Sequence, residues 1–330
     1  MENVAILGGG SWGTALAISL AKKKIAVDLW CRNTAQAEEM EKSRVNSKYL
    51  PNAELPEGVQ VTADLKDAVS GKSMVVLAVT SQSVRQVSSD IKPWLAKDAI
   101  VVNVAKGLEL GTNLRLSQVV EEVLPDNPFV ALCGPSHAEE VSIGMPTGLV
   151  AASHEREAAM AVQDMFISPT LRVYTNDDLI GVEIGGALKN IIALANGIAV
   201  GLGYGDNTQA MLLTRGLAEI TRLGVALGAK SATFLGLTGV GDLVVTCNSE
   251  HSRNRRCGEA LGRGEKLGQV LSDMGMVVEG VNTTRAAVDL ARKSSISMPI
   301  AEEMYSVLFN GDDVRGTVDR LMCRDKKNEF

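Results

Sequence analysis

Two residue patterns in this chain can do chemistry: glycines that open a helix, and lysines placed where an oxygen could take a proton. Gly8-Gly9-Gly10-Ser11-Trp12-Gly13 has the spacing G-x-G-x-x-G. It follows the apolar run Val4-Ala5-Ile6-Leu7 and precedes the segment Thr14 to Lys22, where Leu16 and Leu20 share a helix face. In that context such a turn cradles a pyrophosphate. Gly8 allows the tight turn, Gly10 lets backbone approach the phosphate, and Gly13 permits close packing of helix on strand. The N–H groups and dipole of the helix start then face the anion. Arg32 and Asn33 follow Trp30-Cys31 at the end of the second strand, where NAD-preferring sites carry an acid for the ribose 2′-hydroxyl. The planar fork of Arg32 suits a 2′-phosphate. NADP(H) is therefore expected over NAD(H), against the alternative that Arg32 is a solvated strand-end residue. Asp28, the one nearby acid, falls early for the ribose role.

Lys106 follows the run ending at Val104, so it stands at a strand's carboxyl end, where doubly wound folds bind ligands. A cation there suits a substrate or nicotinamide, although a surface loop lysine gives the same letters. Gly134-Pro135-Ser136-His137-Ala138 also follows a strand and offers a hydroxyl at Ser136. His137, a lone loop histidine, is read as a packing residue. Gly185-Gly186-Ala187-Leu188-Lys189-Asn190 places two glycines inside a helix, at a cost of about 1 kcal/mol each against alanine. Close backbone approach to a cofactor or a facing strand is the compensation expected. Lys189, about 100° from Leu188, borders core and cleft. A partly desolvated amine can exchange a proton with an alcohol oxygen; a lysine snorkelling from the helix edge is the alternative. Asp242, in Gly239-Val240-Gly241-Asp242, either orients a lysine, accepts a substrate proton or caps a turn. Ser252 is a natural N-cap, and the amides of the turn after it, with Arg253 and Asn254, would hold a phosphate.

The elements that must position these groups alternate through the first half. Apolar runs at 25–30, 73–79, 99–104, 129–133 and 147–151, separated by helical stretches, indicate buried parallel strands. Right-handed crossovers give an α/β fold with a Rossmann-like doubly wound sheet. Helical periodicity takes over after Asn176: Ile184, Leu188, Ile191, Ile192 and Ala195 fall on one face. A change near 175–185 divides the chain into a dinucleotide-binding domain, 1–180, and an all-α substrate and catalytic domain, 181–330.

Apolar residues at 45% and charged residues at 22% fit a globular chain with a sizeable core and argue against disorder. A net charge of −6 argues against nucleic acid as a partner and requires any anionic substrate to find a local basic pocket. The cysteines Cys31, Cys133, Cys247, Cys257 and Cys323 form no C-x-x-C pair, and with three histidines no metal site is expected. Scattered thiols suit a reducing compartment. A strand that starts at Asn3 leaves no room for a signal peptide, and the apolar stretch 191–203 is too short to span a bilayer. A cytoplasmic location without membrane insertion is expected.

Taken together, Gly8 to Ala15, Ala105-Lys-Gly-Leu-Glu109, Cys133 to Ser136, Gly185 to Asn190, Gly241-Asp-Leu243 with Thr246-Cys247, Ser252 to Arg256 and Val278-Glu-Gly280 resemble the bacterial NAD(P)-dependent sn-glycerol-3-phosphate dehydrogenases. The motifs run in family order over nearly the whole chain. The resemblance implies reversible interconversion of dihydroxyacetone phosphate and sn-glycerol 3-phosphate, a precursor for glycerophospholipids, by a homodimer. It implies Lys189 as proton donor and acceptor. Lys106, Gly134, Ser136, Asp242, Ser252, Arg253 and Asn254 would line the substrate. Ser11, Trp12, Arg32, Lys106, Ala138, Arg253, Val277 and Glu279 would contact the dinucleotide.

Two rivals stand beside it. A β-hydroxyacid dehydrogenase also sets a lysine after helix glycines, but it typically carries asparagine four residues on, where this chain has Ala193, and Asn190 is adjacent instead. A non-catalytic dinucleotide sensor would keep Gly8, Gly10 and Gly13 without needing Lys189.

Overall fold

The apolar runs are strands in the structure, a computed structural model that describes residues 3–326, 328 and 329. The chain divides into two compact units, Met1–Glu109 with Leu114–Glu183, and Leu110–Asn113 with Ile184–Phe330.

In the first unit β1 (Asn3–Leu7), α1 (Ser11–Lys22), β2 (Ala26–Trp30) and α2 (Thr34–Ser43) lead to a small antiparallel hairpin, β3 (Val45–Asn46) and β4 (Leu50–Glu54). Then come β5 (Val59–Thr62), α3 (Leu65–Val69), β6 (Met74–Leu77), α4 (Val84–Ile91), β7 (Ile100–Asn103), α5 (Leu116–Val123) and β8 (Phe129–Cys133). The unit closes with α6 (Ala138–Ser142), β9 (Thr147–Ala152), α7 (Arg156–Phe166) and β10 (Leu171–Asn176). Among the described residues one sheet has the order β10-β9-β8-β7-β6-β1-β2-β5. Every pairing is parallel except β8 with β9, which the sequence reading did not foresee. Alternate residues of a strand point to opposite faces, and β1 shows the result. Val4 and Ile6 join one buried cluster with Leu16, Leu29 and Val76, while Ala5 and Leu7 join another with Val75, Val101 and Leu116. Each fully buried leucine or isoleucine contributes roughly 1.5–3 kcal/mol, so a sheet covered on both faces needs the continuous apolar runs seen here.

Besides the small hairpin, the strands missed from sequence are the two edges of that sheet. Val59-Gln60-Val61-Thr62 and Leu171-Arg172-Val173-Tyr174 alternate buried with exposed residues, because an edge strand need not be apolar on both faces. From β1 the sheet grows through β2 to β5, then restarts at β6 on the other side of β1. That reversal places a crevice at the carboxyl ends of β1 and β6, and Gly8 begins there.

The second unit is helical. α8 (Leu179–Gly201) enters it from the first, followed by α9 (Asp206–Ala226), α10 (Asp242–Asn248), α11 (Arg253–Gly262) and α12 (Leu267–Met274). α13 (Glu279–Lys293), α14 (Pro299–Tyr305) and α15 (Val314–Met322) complete it. The expected stripe Ile184, Leu188, Ile191, Ile192 and Ala195 is buried, but so are Ala187, Ala193 and Leu194 on the other faces. α8 is a core helix. It is long and apolar enough to cross a membrane by length and composition, yet 89% of its most apolar window is buried in the protein.

α8 and α11 cross at glycines. A Cβ at Gly258 or Gly262 would run into the carbonyl oxygens of Leu194 or Ile198, and one at Gly197 or Gly201 into those of Arg255 or Glu259. Four glycines at i, i+4 spacing on two helices thus let the backbones touch, and they hold the second half of α11 against the last turns of α8.

Candidate active site

The glycine turn at the end of β1 has the geometry its spacing implies. Gly8 adopts φ +133°, and a Cβ there would strike the carbonyl of Ala78 at the end of β6. A Cβ at Gly13 would collide with the carbonyl oxygen of Gly8 and come within 3.1 Å of the Ala78 side chain. Gly10 differs: its φ of −84° is ordinary, and a Cβ there would meet nothing within 4 Å. It faces open space at the N-cap of a 12-residue helix that no side chain caps. That opening, with the amide end of α1 behind it, fits a pyrophosphate. Ser11 and Trp12 form the first turn of α1, and the indole packs partly against the core. Arg32 is exposed, while Asn33 caps α2 by accepting the Gln36 N–H at 3.0 Å. Asp28 lies mid-strand and forms an ion pair with Lys72, so it is engaged elsewhere than at a ribose.

At the ends of β7 and β8, two polar side chains meet one carbonyl. Lys106 Nζ donates to the oxygen of Gly134 at 2.9 Å, and Ser136 Oγ donates to it at 3.0 Å. Gly134 has φ +150°, and a Cβ would lie 2.7 Å from the carbonyl oxygen of Gly148. An ammonium and a hydroxyl are thereby gathered beside the start of α6, where Ala138 is buried and His137 holds the N-cap position.

In the helical unit Lys189 is buried more deeply than a position bordering core and cleft would suggest. Its side chain is 6% exposed and that of Asp242 is 1% exposed. Lys189 Nζ donates to Asp242 Oδ1 at 2.5 Å and to Thr246 Oγ1 at 2.6 Å. Thr246 Oγ1 in turn donates to the backbone oxygen of Asp242 at 2.6 Å. Of the three roles open to Asp242, the contact with Lys189 fits the first, orienting the lysine. A buried charge of either sign would cost several kcal/mol alone, and the pair offsets that cost. The helix glycine is explained here too, since a Cβ at Gly185 would sit 2.5 Å from the oxygen of Thr238. Thr238 belongs to a π-helical turn, Leu237–Gly241, that leads straight into Asp242. The neighbour that excludes a side chain at Gly185 is thus a π-helical turn rather than the facing strand expected. The sequence motif assigns Thr246 no role; its i+4 spacing from Asp242 is the signal that places the two together. Burial pushes the thiol of Cys247 beside it up to about 12.

At the start of α11 the expected N-cap is present. Ser252 Oγ accepts the Arg255 N–H at 3.2 Å and caps the helix. Arg253 Nη1 donates to the oxygen of Val277 at 2.9 Å, next to Glu279 at the start of α13. Asn254 also has a bracing role: its Nδ2 donates to Asn190 Oδ1 and its Oδ1 accepts from Gly280 N, both at 2.9 Å. It ties α11 to α13 and to the residue beside Lys189. Arg255 pairs with Glu259 at 2.8 Å, while Arg256 is exposed.

A doubly wound sheet with an open glycine turn at its reversal point, and a helical unit presenting a buried ammonium, define an NAD(P)-dependent oxidoreductase. Two family models cover the chain: the N-terminal domain of NAD-dependent glycerol-3-phosphate dehydrogenase matches residues 3–159 and its C-terminal domain residues 178–319. The chain belongs to that family. It is 56% identical, over all of its length and 94% of the relative's, to a glycerol-3-phosphate dehydrogenase [NAD(P)+] of Desulfitobacterium hafniense. It is 54% identical to one of Geobacillus kaustophilus, covering all of this chain and 97% of that one. The crystal structure of glycerol-3-phosphate dehydrogenase from Coxiella burnetii superposes with a TM-score of 0.95 at 38% identity, covering 98% of this chain and 99% of that one.

Proposed function

We propose that this chain reversibly reduces dihydroxyacetone phosphate to sn-glycerol 3-phosphate, with Lys189 as proton donor and acceptor, and thereby feeds glycerophospholipid synthesis. The observation that carries this is the buried ammonium of Lys189 held by Asp242 and Thr246. Bound through its pyrophosphate at the glycine turn, the reduced dinucleotide supplies hydride to the ketone carbon.

The protein does the rest. Charge grows on the ketone oxygen as its carbon is reduced, and a donor waiting there in a dry site stabilises it strongly. The carboxylate of Asp242 stabilises the ammonium form of Lys189, the form that can give the oxygen a proton. In the reverse direction the amine takes that proton back. Lys106 is the second cation for the developing charge, placed with Ser136 and Gly134 on the substrate. Ser252, Arg253, Asn254 and the amide end of α11 hold the phosphate. That remote grip orients the ketone. Gly8, Gly10, Ser11, Trp12, Gly13, Ala138, Val277 and Glu279 serve the dinucleotide, with Arg32 and Asn33 at the 2′-phosphate. NADP(H) preference is supported by the exposed Arg32 and by the engagement of Asp28 with Lys72.

The cytoplasm suits this activity, since the five cysteines are unpaired. The homodimer reading draws on the likeness to the family; sedimentation of the purified chain tests it. The activity itself is tested by NADPH oxidation with dihydroxyacetone phosphate beside a 3-keto acid. Oxidation only with the phosphorylated ketone is expected. Oxidation only with the keto acid would turn the assignment to the β-hydroxyacid type.

A further inference from the structure

The middle residue of the glycine turn, Gly9, belongs to no fixed position of the motif, yet its carbonyl accepts two side-chain hydrogen bonds from distant elements. Gln36 Nε2 donates to it at 2.7 Å from the first turn of α2, and Asn46 Nδ2 donates to it at 3.0 Å from β3. A carbonyl oxygen has two lone pairs, and these two donors use both. Asn46 is 1% exposed. Its amide nitrogen also donates to Thr14 Oγ1 at 2.8 Å, and Thr14 donates to the oxygen of Gly10 at 2.8 Å. Asn46 Oδ1 accepts the Tyr49 N–H at 3.3 Å. The amide orientation is thus fixed by its partners: only nitrogen can face the Gly9 carbonyl. The packing is tight as well, for a Cβ at Gly9 would strike the Cys31 sulfur and lie 3.3 Å from Gln36 Nε2.

A trans peptide is planar, so its C=O and N–H point in opposite directions. Drawing the Gly9 carbonyl toward α2 and β3 turns the N–H of Gly10 away from them. Gly10 is the residue whose missing Cβ leaves open space. We infer that Gln36 and Asn46 are positioning residues of the cofactor site: by clamping the Gly9 carbonyl they aim the Gly10 N–H at the pyrophosphate. This rests on the glycine turn being the pyrophosphate site. Neither residue belongs to the glycine motif, and Asn46 lies 37 positions from the carbonyl it holds.

The test compares two competitive inhibitors against NADPH: ADP-ribose, which carries the pyrophosphate, and adenosine 2′-monophosphate, which does not. Three variants of the full chain are used. Gln36→Met keeps shape and loses the donor at a half-buried site. Asn46→Asp is isosteric and turns an acceptor on the carbonyl. Gly10→Ala adds a methyl in the open space at an ordinary φ. Losing a hydrogen bond of this kind is worth about tenfold. Gln36→Met and Asn46→Asp should raise the inhibition constant of ADP-ribose about tenfold and leave that of adenosine 2′-monophosphate within about twofold. KM for the dinucleotide should rise with kcat at saturation nearly unmoved. If Asn46→Asp fails to fold, Gln36→Met decides alone. ADP-ribose binding unchanged in Gln36→Met, or both inhibitors weakened alike, overturns the inference. If Gly10→Ala weakens ADP-ribose while Gln36→Met does not, only the clamp fails. If Gly10→Ala also binds ADP-ribose normally, the turn is not the pyrophosphate site and both readings fall.

Discussion

The glycine turn and the lysine cluster are made of opposite materials. At the turn the working groups are backbone amides, and side chains such as Gln36 and Asn46 serve them. At Lys189 the working group is a side chain, and backbone serves it, through a π-helical turn packed on Gly185. Backbone donors are cheap to bury because α1 needs partners for its first N–H groups in any case. An ammonium is costly to bury, so it comes with a carboxylate and a hydroxyl already in place. Substitutions at the turn should therefore erode affinity by small steps, whereas substitutions at the cluster should remove turnover and stability together.

Asp242→Asn gives the sharpest contrast. It keeps the shape but leaves the ammonium buried without its counter-charge, which costs on the order of 3–5 kcal/mol. Turnover should fall about 10²-fold and Tm should drop clearly, while dinucleotide affinity stays. Near-normal turnover would break the comparison. Gly258→Ala comes next. Its methyl would overlap the oxygen of Leu194 and push α11 from α8, at about 1–3 kcal/mol. Thermal denaturation should register the loss, and KM for dihydroxyacetone phosphate should rise more than KM for the dinucleotide. Equal changes would show that the crossing does not set the phosphate end.

Arg32→Ala should weaken NADPH about tenfold and NADH much less, as fluorescence titration would report. Equal weakening would remove the 2′-phosphate role. A last prediction concerns Glu219, which sits on α9, 3% exposed, and accepts the N–H of Ile300 at 2.9 Å at the start of α14. Burial pushes its carboxyl up to about 7 from the ordinary 4.5, against the opposing pull of those backbone bonds. The native chain then holds a proton that the unfolded chain has released. The stability this group contributes is complete below about pH 4.5 and is lost as pH rises toward 7. Glu219→Gln should flatten that slope, by on the order of 1–3 kcal/mol across the window. An unchanged slope of stability against pH would exclude Glu219 as its source.

The same contrast explains what could be read from sequence. Gly8, Gly10 and Gly13 were legible because a backbone site writes itself as local spacing after a strand. The central strands were legible because burial on both faces demands runs such as Met74-Val75-Val76-Leu77. β5 and β10 were not, since edge strands carry Gln60, Arg172 and Tyr174 among their apolar residues. Lys189 and Asp242 each stood out, but their pairing spans 53 positions and no local rule encodes it. The glycines that join α8 to α11 look like isolated helix defects until the two helices are seen in contact. Gln36 and Asn46 carry no motif of their own, and only the carbonyl they share reveals them.

The central claim, that the ammonium of Lys189 protonates the ketone oxygen, is tested most directly by single-turnover oxidation of NADPH with saturating dihydroxyacetone phosphate in Lys189→Ala. The rate should fall by a factor on the order of 10² or more while NADPH affinity, titrated on the same preparation, stays within about twofold. A rate within a few-fold of the parent chain, at equal cofactor affinity, would contradict it.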